Sequence, residues 1–546
     1  MKTRLISLFA LLICTLTSLQ AAIKSVDYSR SGASVERFEV LDIKFTVKGR
    51  IEKPFLKEAN AKLINTNGET KTIPLFYNGG EEWILRFSGE RADAWSYTVE
   101  SELKSLNGKK GKIEVSQKQY MNRRGAIVRD YKYPQHLFWE DGSPYFMMGF
   151  ECDFLFALDY HNDSATPKLS HFLDGVAQNG FNHIVMNLYA NDVVWQKDAK
   201  LKQKPQYEVG GDEKIFPFLG SNSKPDYSSL NADFFKKFDR TMEALNERDL
   251  ISHLMIYVWN KNVNWPDFKS EEDNMYFDYI IKRYQAFSNI VWDISKEAMF
   301  YGMVGDDFIL ERIERVKRLD SYKRLITVHD FGFCNRNKES VDFIAHQNWK
   351  LTIYADMLKN HNTFKDKPTF NIEHGGYEES DYFVFCGNYI NAEQCLRRNW
   401  ECAFAGSYST YYWQGCSWNV LVYDWDSLPE ESYRPKMEYF KHMTDFFNSY
   451  PYHTFKPVPY LNNSGYVMTD DKDTYLFHLP KESYKCAAGG IMKKAKHLSF
   501  QWFNVQTGEY SEVSDTKEME IFAMPAAPWH MESDAILIIK ILEKKE

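Results

Sequence analysis

The hydrophobic pattern divides the chain into three segments with different periodicities. Between about residues 24 and 118, apolar and polar residues alternate with a period of two, as at residues 35–40 and 42–47. Turn signals rich in Asn and Gly separate these short runs, for example at residues 65–68 and 78–80. Short alternating strands between such turns are typical of a β-sandwich. We therefore predict an N-terminal β-sandwich over residues 23–120.

The central segment, residues 130–450, instead alternates short apolar runs with stretches of helical period. The runs predict eight strands, at residues 144–151, 182–189, 251–259, 289–297, 324–329, 341–347, 368–373 and 406–413. Helices are predicted at residues 168–179, 233–246, 271–287, 306–319, 392–404 and 435–449. Eight strands, each followed by a helix or by room for one, indicate a (β/α)8 TIM barrel.

The two ends of the chain complete the predicted organisation. Strand-like runs at residues 466–468, 474–478 and 535–541 predict a small C-terminal β-sandwich over residues 455–546. Residues 1–22 have the basic start, apolar centre and small-residue exit of a signal peptide. We expect an exported protein, periplasmic or at the cell surface, without a membrane span in the mature chain. Lipid anchoring through Cys14 is an alternative that the bulky Ile13 disfavours.

Composition narrows the possible partners. A formal charge of -8 argues against nucleic acid or an anionic membrane as the main partner. The aromatic content of 16% fills large cores and also supplies rings that stack on the apolar faces of sugars. Seven cysteines remain after the predicted cleavage, which allows at most three disulfides. Because they form no CxxC pair and no Cys/His cluster, we predict no metal site and no cofactor.

Polar and aromatic residues cluster at the predicted C-terminal strand ends, where barrel enzymes place their chemistry. The cluster contains Glu151, Asn187, Tyr189, Trp259, Asn260, Glu297, His329, Asp330, His346, Gln347, Glu373, His374 and Trp413. Glu297 and Glu373 end the fourth and seventh strands, on opposite sides of one barrel mouth. Two carboxyls about 5 to 5.5 Å apart act as acid/base and nucleophile in a retaining glycoside hydrolase. We predict this chemistry, with His346 and Tyr377 as donors that keep the nucleophile ionised.

Two segments resemble a known group of enzymes. Residues 289–297 resemble the strand-four motif of clan A glycoside hydrolases, and residues 368–378 resemble the Pro-x-x-x-x-Glu-x-x-x-Tyr-Glu segment of apiosidase-like barrel enzymes of gut Bacteroidetes. The resemblance implies that Glu297 is the acid/base and Glu373 the nucleophile. It also implies that Trp413 is a sugar platform after strand eight, and that the N-terminal β-sandwich is an immunoglobulin-like domain.

Lys296 departs from the clan A pattern, which places Asn before the acid/base to bind the sugar 2-hydroxyl. A Lys cannot accept a hydrogen bond, and its charge beside Glu297 opposes proton donation by that residue. Three interpretations stay open at this stage. Lys296 points away from the site, binds an anionic substituent together with Lys261 and Arg336, or marks a site with altered or lost activity.

The sequence therefore predicts an exported retaining glycoside hydrolase that cleaves a plant or algal polysaccharide or oligosaccharide by double displacement. Trp413 and Trp259 are expected to stack on sugar rings. Asn187, Tyr189 and His346 are expected to contact hydroxyl or carboxylate groups of the substrate. The alternative is a non-catalytic glycan-binding protein on a degenerate glycosidase barrel, which the Lys at position 296 keeps open.

Overall fold

The computed structural model describes residues 23–193, 197, 199–374, 377–382, 391–461, 466–483, 486, 488–492, 495–517 and 526–545. The predicted signal peptide, residues 1–22, lies outside the described residues, so export stays a prediction. In the described part of the chain, no helix combines the length and the hydropathy that a membrane span requires. The six cysteines among the described residues are all buried, and Cys386 lies outside them.

Two sheets form the predicted N-terminal β-sandwich. The first contains, in spatial order, Lys24–Asp27, Val40–Thr46, Glu82–Ser88 and Phe76–Tyr77. The second contains Ala33–Arg37, Lys110–Gln119, Asp93–Ser101, Ala59–Asn65 and Thr70–Pro74. The alternate apolar residues of both sheets, such as Ile43 and Val99, share one buried core. Phe38 adopts a left-handed φ of 65°, which ends the strand before it and separates the two runs that the sequence predicted.

Eight parallel strands form the central barrel, as predicted. They are β1 Met148–Glu151, β2 His183–Asn187, β3 Ile251–Val258, β4 Ile290–Lys296, β5 Ile326–His329, β6 Ile344–Gln347, β7 Thr369–Glu373 and β8 Tyr408–Trp413. Each strand pairs with its sequence neighbour and β8 pairs with β1, whereas β5 and β6 share no strand ladder. Single hydrogen bonds bridge that seam, including one of 2.8 Å from the Asp342 N–H to the Ile326 carbonyl. The barrel is therefore nearly closed.

Within the described ranges, one α-helix follows each barrel strand. They are α1 Pro167–Gln178, α2 Ala232–Glu247, α3 Glu271–Tyr284, α4 Asp306–Leu319, α5 Phe331–Arg336, α6 Ile353–Thr363, α7 Ala392–Phe404 and α8 Glu438–Ser449. Strands outside the barrel wall accompany them: Ile127–Arg129, Leu137–Trp139 and Pro144–Tyr145 before β1, the hairpin Phe218–Ser221 and Lys224–Leu230 before α2, and Tyr377–Glu378 after β7. The sequence predicted six of the helices and missed α5 and α6. Its first predicted strand, residues 144–151, is split into an outer strand and β1.

The C-terminal β-domain is one antiparallel sheet of six strands among the described residues. In spatial order they are Lys456–Pro457, Tyr466–Thr469, Thr474–Leu479, Ala535–Lys544, Ala495–Asn504 and Ser514–Lys517, with a short helix α9 at Gly489–Met492. This sheet packs on the barrel through aromatic contacts, such as Trp400 against Phe503. An ion pair of 2.7 Å between Arg397 and Asp534 joins α7 to the same domain. The third domain therefore covers the α7–α8 side of the barrel.

A buried ionic cluster, here called the interdomain cluster, joins the N-terminal sandwich to the barrel. Arg86 donates to both carboxylate oxygens of Asp42 on its own domain at 2.8 and 2.9 Å, and to Asp239 on α2 at 2.9 and 3.2 Å. Arg283 on α3 donates to the same two oxygens of Asp239 at 2.8 and 2.6 Å. Two cations thus meet two anions, and each carboxylate is bound by a guanidinium through both of its oxygens.

Candidate active site

A deep cavity opens at the C-terminal ends of the barrel strands. Its volume is about 540 Å³, within the range of small-molecule sites. The lining residues are Asn260, Lys261, Lys296, Glu297, Phe300, Tyr301, His329, Asp330, Phe331, Gly332, Gln347, Trp349, Glu373 and Trp418. Glu297 follows the last residue of β4, and Glu373 is the last residue of β7. The parallel barrel thus brings the two carboxyls that the sequence singled out into one cavity.

Glu373 is the more deeply buried of the two carboxyls. Tyr377 donates its hydroxyl to Glu373 Oε1 at 3.2 Å, and the Lys296 ammonium lies 3.2 Å from Oε2. The neighbouring His329 ring nitrogen Nε2 lies 3.6 Å from the same oxygen. Burial raises the pKa of Glu373 to about 6, with Glu297 and Asp153 acting in the same direction and Lys296 opposing them. A carboxyl with this pKa is mostly ionised at neutral pH and becomes protonated as the pH falls through about 6.

Glu297 sits where the chain leaves β4 through a left-handed turn. Its φ of 58° is unusual for a residue with a β-carbon and costs of order 1 kcal/mol. The following turn is held by a hydrogen bond of 3.1 Å from the Tyr301 N–H to the Glu297 carbonyl. The Asn260 amide, at the end of β3, donates to Glu297 Oε2 at 2.6 Å. Backbone and side chain together hold this half-buried carboxyl at the cavity wall.

Lys296 does not point away from the site. Its ammonium lies 2.6 Å from Glu151 Oε1 and 3.8 Å from Asp153 Oδ1, in addition to its contact with Glu373. We call Lys296, Glu151, Asp153 and Glu373 the site cluster. Burial alone would lower the pKa of Lys296, but the surrounding carboxylates raise it well above its ordinary value. Lys296 is therefore a permanent cation within the cavity wall.

A second lysine stabilises the floor of the cavity. Lys261 lies 3.0 Å from Asp153 Oδ2, and its ammonium stands 4.1 Å from the centre of the Trp418 ring. Burial would raise the pKa of Asp153, but Lys261 and Lys296 lower it below its ordinary value. By contrast, burial raises the pKa of Glu151 well above its ordinary value, and Lys296 only partly opposes this. Behind the cavity floor, one firmly ionised carboxylate, Asp153, thus lies near one carboxyl, Glu151, that favours its proton.

The sequence-predicted site residues fall into three groups. Glu297, Glu373 and Lys296 line the cavity itself. Behind them, Glu151 bonds to Lys296, Tyr377 bonds to Glu373, and the Asn187 amide donates to Asp153 at 3.2 Å. The remaining four, Trp413, Trp259, Tyr189 and His346, are not among the cavity-lining residues.

Packing explains where those four side chains lie. The Trp413 ring is fully buried, with its indole N–H bonded to the Glu379 carbonyl at 3.0 Å. Tyr189 and Trp259 are packed among other aromatic rings. His346 stacks on Phe331 at 3.8 Å, and burial lowers its pKa to about 4. Side chains alternate along a strand, so it is the neighbour Gln347 that lines the cavity.

Several residues in or behind the cavity wall were not identified from the sequence. Asp153 follows Glu151 after one intervening residue, so its position beyond a strand end was the available signal. Phe300, Tyr301, Trp349 and Trp418 lie in loops after β4, β6 and β8. Aromatic residues in loops carry no periodic signal, and only the folded loops bring these rings to the cavity.

Comparisons with known proteins agree with this geometry. The family model described as "Apiosidase-like, catalytic domain" matches residues 133–454, and a domain of unknown function, DUF5060, matches residues 34–102. No curated protein matches the chain. A provisionally assigned glycoside hydrolase from Bacteroides vulgatus superposes with a TM-score of 0.74 at 17% identity, covering 93% of this chain and 100% of that one.

A family 5 glycoside hydrolase, also from Bacteroides vulgatus, superposes with a TM-score of 0.56 at 15% identity, covering 77% of this chain and 93% of that one. At these identities the solved structures show the shared fold alone. The family match is more specific, because it covers more than half of the chain and contains the whole barrel with both carboxyls. The chain belongs to the family of apiosidase-like catalytic domains, and it is a glycoside hydrolase.

Proposed function

We propose that this chain is a retaining glycoside hydrolase in which Glu373 is the nucleophile and Glu297 the acid/base. One observation carries the proposal: Glu297 and Glu373 line the same cavity, at the ends of β4 and β7. Glu373 attacks the anomeric carbon while Glu297 gives its proton to the leaving oxygen. Glu297 then takes a proton from water, which attacks the anomeric carbon and releases Glu373 as a carboxylate.

The surroundings of the two carboxyls support this division of roles. A nucleophile must be ionised, and Glu373 has a hydroxyl donor at one oxygen and an ammonium at the other. An acid/base must exchange protons with the leaving group and with water, and Glu297 is the half-buried carboxyl of the pair. Asn260 fixes the orientation of that carboxyl through Oε2.

The ion pairs also favour an uncharged sugar as the substrate. An anionic substituent would need a basic group that is not already neutralised. Lys296 contacts three carboxylates, Lys261 contacts Asp153, and Arg336 contacts Asp306 at 2.8 Å. The anion-binding interpretation of Lys296 therefore finds no support in these contacts, and we propose a neutral glycan of plant or algal origin.

Export completes the proposal and rests on the pattern of residues 1–22. An enzyme that cleaves polysaccharides must meet them outside the cytoplasm, because polymers do not cross the inner membrane. Expression of the full chain in a Bacteroides host, followed by fractionation and N-terminal sequencing, tests this part. A mature protein beginning near Ala22 in the cell envelope supports export, and an uncleaved cytoplasmic chain contradicts it.

The reaction is tested with a panel of aryl glycosides, including apiosides, and of plant and algal oligosaccharides. Proton NMR of the first-formed product should show the anomeric configuration of the substrate. Glu297→Ala should lower the rate on substrates with poor leaving groups about 10²- to 10⁴-fold, and azide should restore part of the activity as a glycosyl azide. An inverted product contradicts the retaining mechanism. Binding without cleavage across the panel would indicate a glycan-binding protein instead.

A further inference from the structure

Two exposed aromatic rings stand directly beside the acid/base. Phe300 and Tyr301 line the cavity with 81% and 40% of their surfaces exposed. Their rings contact each other edge to face, with centroids 5.3 Å apart. The hydrogen bond from the Tyr301 N–H to the Glu297 carbonyl fixes this pair relative to the acid/base. The two rings therefore have a defined position relative to the proton that Glu297 would donate.

This exposure is not a general property of the cavity. The floor is formed by the ionic and amide groups of Lys261, Lys296, Glu373 and Asn260, which are all buried. Large apolar side chains are rarely left in solvent next to one another unless they meet a ligand or a partner. Phe300 and Tyr301 thus form an exposed apolar rim on the Glu297 side of the cavity, whereas the floor is polar and buried.

We propose that Phe300 and Tyr301 form the leaving-group subsite, which takes the flat apolar face of an uncharged sugar ring. The inference rests on the proposed function, in which Glu297 protonates the oxygen of the leaving group. The atoms attached to that oxygen must lie next to Glu297, on the side where the two rings stand. Aromatic rings bind the C–H face of a sugar through apolar contact, and the ring hydroxyls remain in water.

The Tyr301 hydroxyl adds a polar contact to this subsite. Burial and the neighbouring Glu297 raise its pKa, so the phenol keeps its proton across the physiological range. A neutral phenol donates and accepts hydrogen bonds and suits a sugar hydroxyl. Trp349, 39% exposed, lines the cavity in the loop after β6 and contacts Tyr377, the donor to Glu373. It belongs to the nucleophile side, so we leave it outside the leaving-group subsite.

The test compares glycosides that share one sugar and differ only in the alcohol released. The enzyme is assayed on the methyl glycoside, the benzyl glycoside and a disaccharide of the sugar that the panel identifies. For Phe300→Ala, the ratio of kcat/KM on the disaccharide to kcat/KM on the methyl glycoside should fall about tenfold, the effect of losing one buried aromatic contact. Tyr460→Ala is the matched control, since Tyr460 is 82% exposed on the C-terminal domain.

The benzyl glycoside distinguishes a subsite that binds a sugar ring from one that binds an aromatic leaving group. If Phe300→Ala lowers kcat/KM for the disaccharide alone, the proposal is supported. If it lowers kcat/KM for the benzyl glycoside alone, the subsite binds an aromatic aglycone and the proposal of a sugar ring is wrong. An unchanged ratio for Phe300→Ala and for Tyr301→Phe overturns the subsite.

If the wild-type enzyme cleaves nothing in the panel, the proposed function fails. Saturation-transfer NMR with the same oligosaccharides then still tests the rings. If an oligosaccharide binds to the wild-type protein and Phe300→Ala abolishes this binding, the two rings still form a sugar-binding subsite. If no oligosaccharide binds, both proposals are wrong.

Discussion

Two buried ionic clusters in this protein differ in how completely their groups are paired. In the interdomain cluster, both aspartates receive two-pronged contacts from arginines, and cations and anions are equal in number. In the site cluster, Lys296 is shared among three carboxylates, and only Lys261 adds a further positive charge. The first arrangement is balanced in charge, whereas the second places more carboxyls than cations together, and one of these carboxyls, Glu151, favours its proton.

The hydrogen bonds show the same difference. Among the described residues, every side-chain oxygen and nitrogen of the interdomain cluster has a hydrogen-bond partner, whereas in the site cluster Glu151 Oε2 and Glu373 Oε2 have none. Glu373 Oε2 lies near Lys296 as an ion pair that lacks hydrogen-bond geometry. Buried groups left without partners are costly, and they persist mainly where function requires them. The comparison therefore assigns stability to one cluster and reactivity to the other.

Removing the nucleophile should have the largest effect. Glu373→Gln keeps the shape of the side chain but cannot attack the anomeric carbon, so kcat should fall about 10⁴-fold or more. The free energy of unfolding should change little or rise, because a buried charge is removed. Glu378→Gln is the matched control: Glu378 is also buried, but its partners are Tyr411, Tyr433 and the Lys436 N–H.

The control variant should lose stability and keep its activity per folded molecule. Activity assays and urea unfolding of both variants decide the outcome. If both variants lost activity equally, the position of a carboxyl in the cavity would not matter, and the contrast between reactive and structural groups would fail.

Breaking the interdomain cluster should give the next largest effect, on stability alone. Asp239→Ala leaves Arg86 and Arg283 buried without their shared carboxylate. The loss of one partner from a buried ion pair typically costs about 3 to 5 kcal/mol of unfolding free energy. Denaturant unfolding measures this loss, with Asp233→Ala on the exposed first turn of α2 as the control. A stable Asp239→Ala protein with reduced kcat would contradict the assignment.

Replacing Lys296 should lower activity without abolishing it. In Lys296→Met, Glu373 loses the positive charge that lowers its pKa, so a larger fraction of it is protonated at neutral pH. We expect kcat/KM at pH 7 to fall about 100-fold, or roughly 2.7 kcal/mol. The acid limb of the pH profile should move to higher pH.

The shape of that profile separates a role in ionising Glu373 from a merely structural role. Lys71→Met removes another buried lysine, which pairs with Glu90 at 2.7 Å in the N-terminal domain, and it should leave the limb in place. An unshifted limb in Lys296→Met would contradict the charge role of Lys296.

The smallest of the predicted effects is the change in the activity of the wild-type enzyme with pH. Glu373 must be ionised to attack, and its pKa is about 6. Below that pH, kcat/KM should therefore fall about tenfold per pH unit, and above it the acid limb should level off. Initial rates between pH 4 and about 8 on one aryl glycoside measure this limb. A flat profile through pH 6 would mean that another group carries the ionisation.

Most of the fold was readable from the sequence because the strands and long helices obey simple periods. All eight barrel strands were predicted within a few residues, and α4 and α7 match their predicted ranges. The helix α5 was missed because it is only six residues long and begins directly after β5. A helix that short has too few turns to show an apolar stripe.

The site was predictable only where chemistry coincides with strand ends. Glu297 and Glu373 could be paired because a parallel barrel places all its C-terminal strand ends at one mouth. The role of Lys296 could not be chosen, because the contacts with Glu151 and Asp153 depend on side-chain directions across the barrel. Trp413 was singled out by its position at the end of β8, but its indole faces the Glu379 carbonyl instead of the cavity.

Trapping the covalent intermediate is the most direct test of the central claim, that Glu373 is the nucleophile of a retaining enzyme. A 2-deoxy-2-fluoro glycosyl fluoride of the cleaved sugar should inactivate the enzyme with time and add the mass of one fluorosugar. Mass spectrometry of the digested protein should locate that mass on Glu373, in the peptide that contains β7. A label on Glu297 or Glu151, or inversion of the product without any label, would contradict the account.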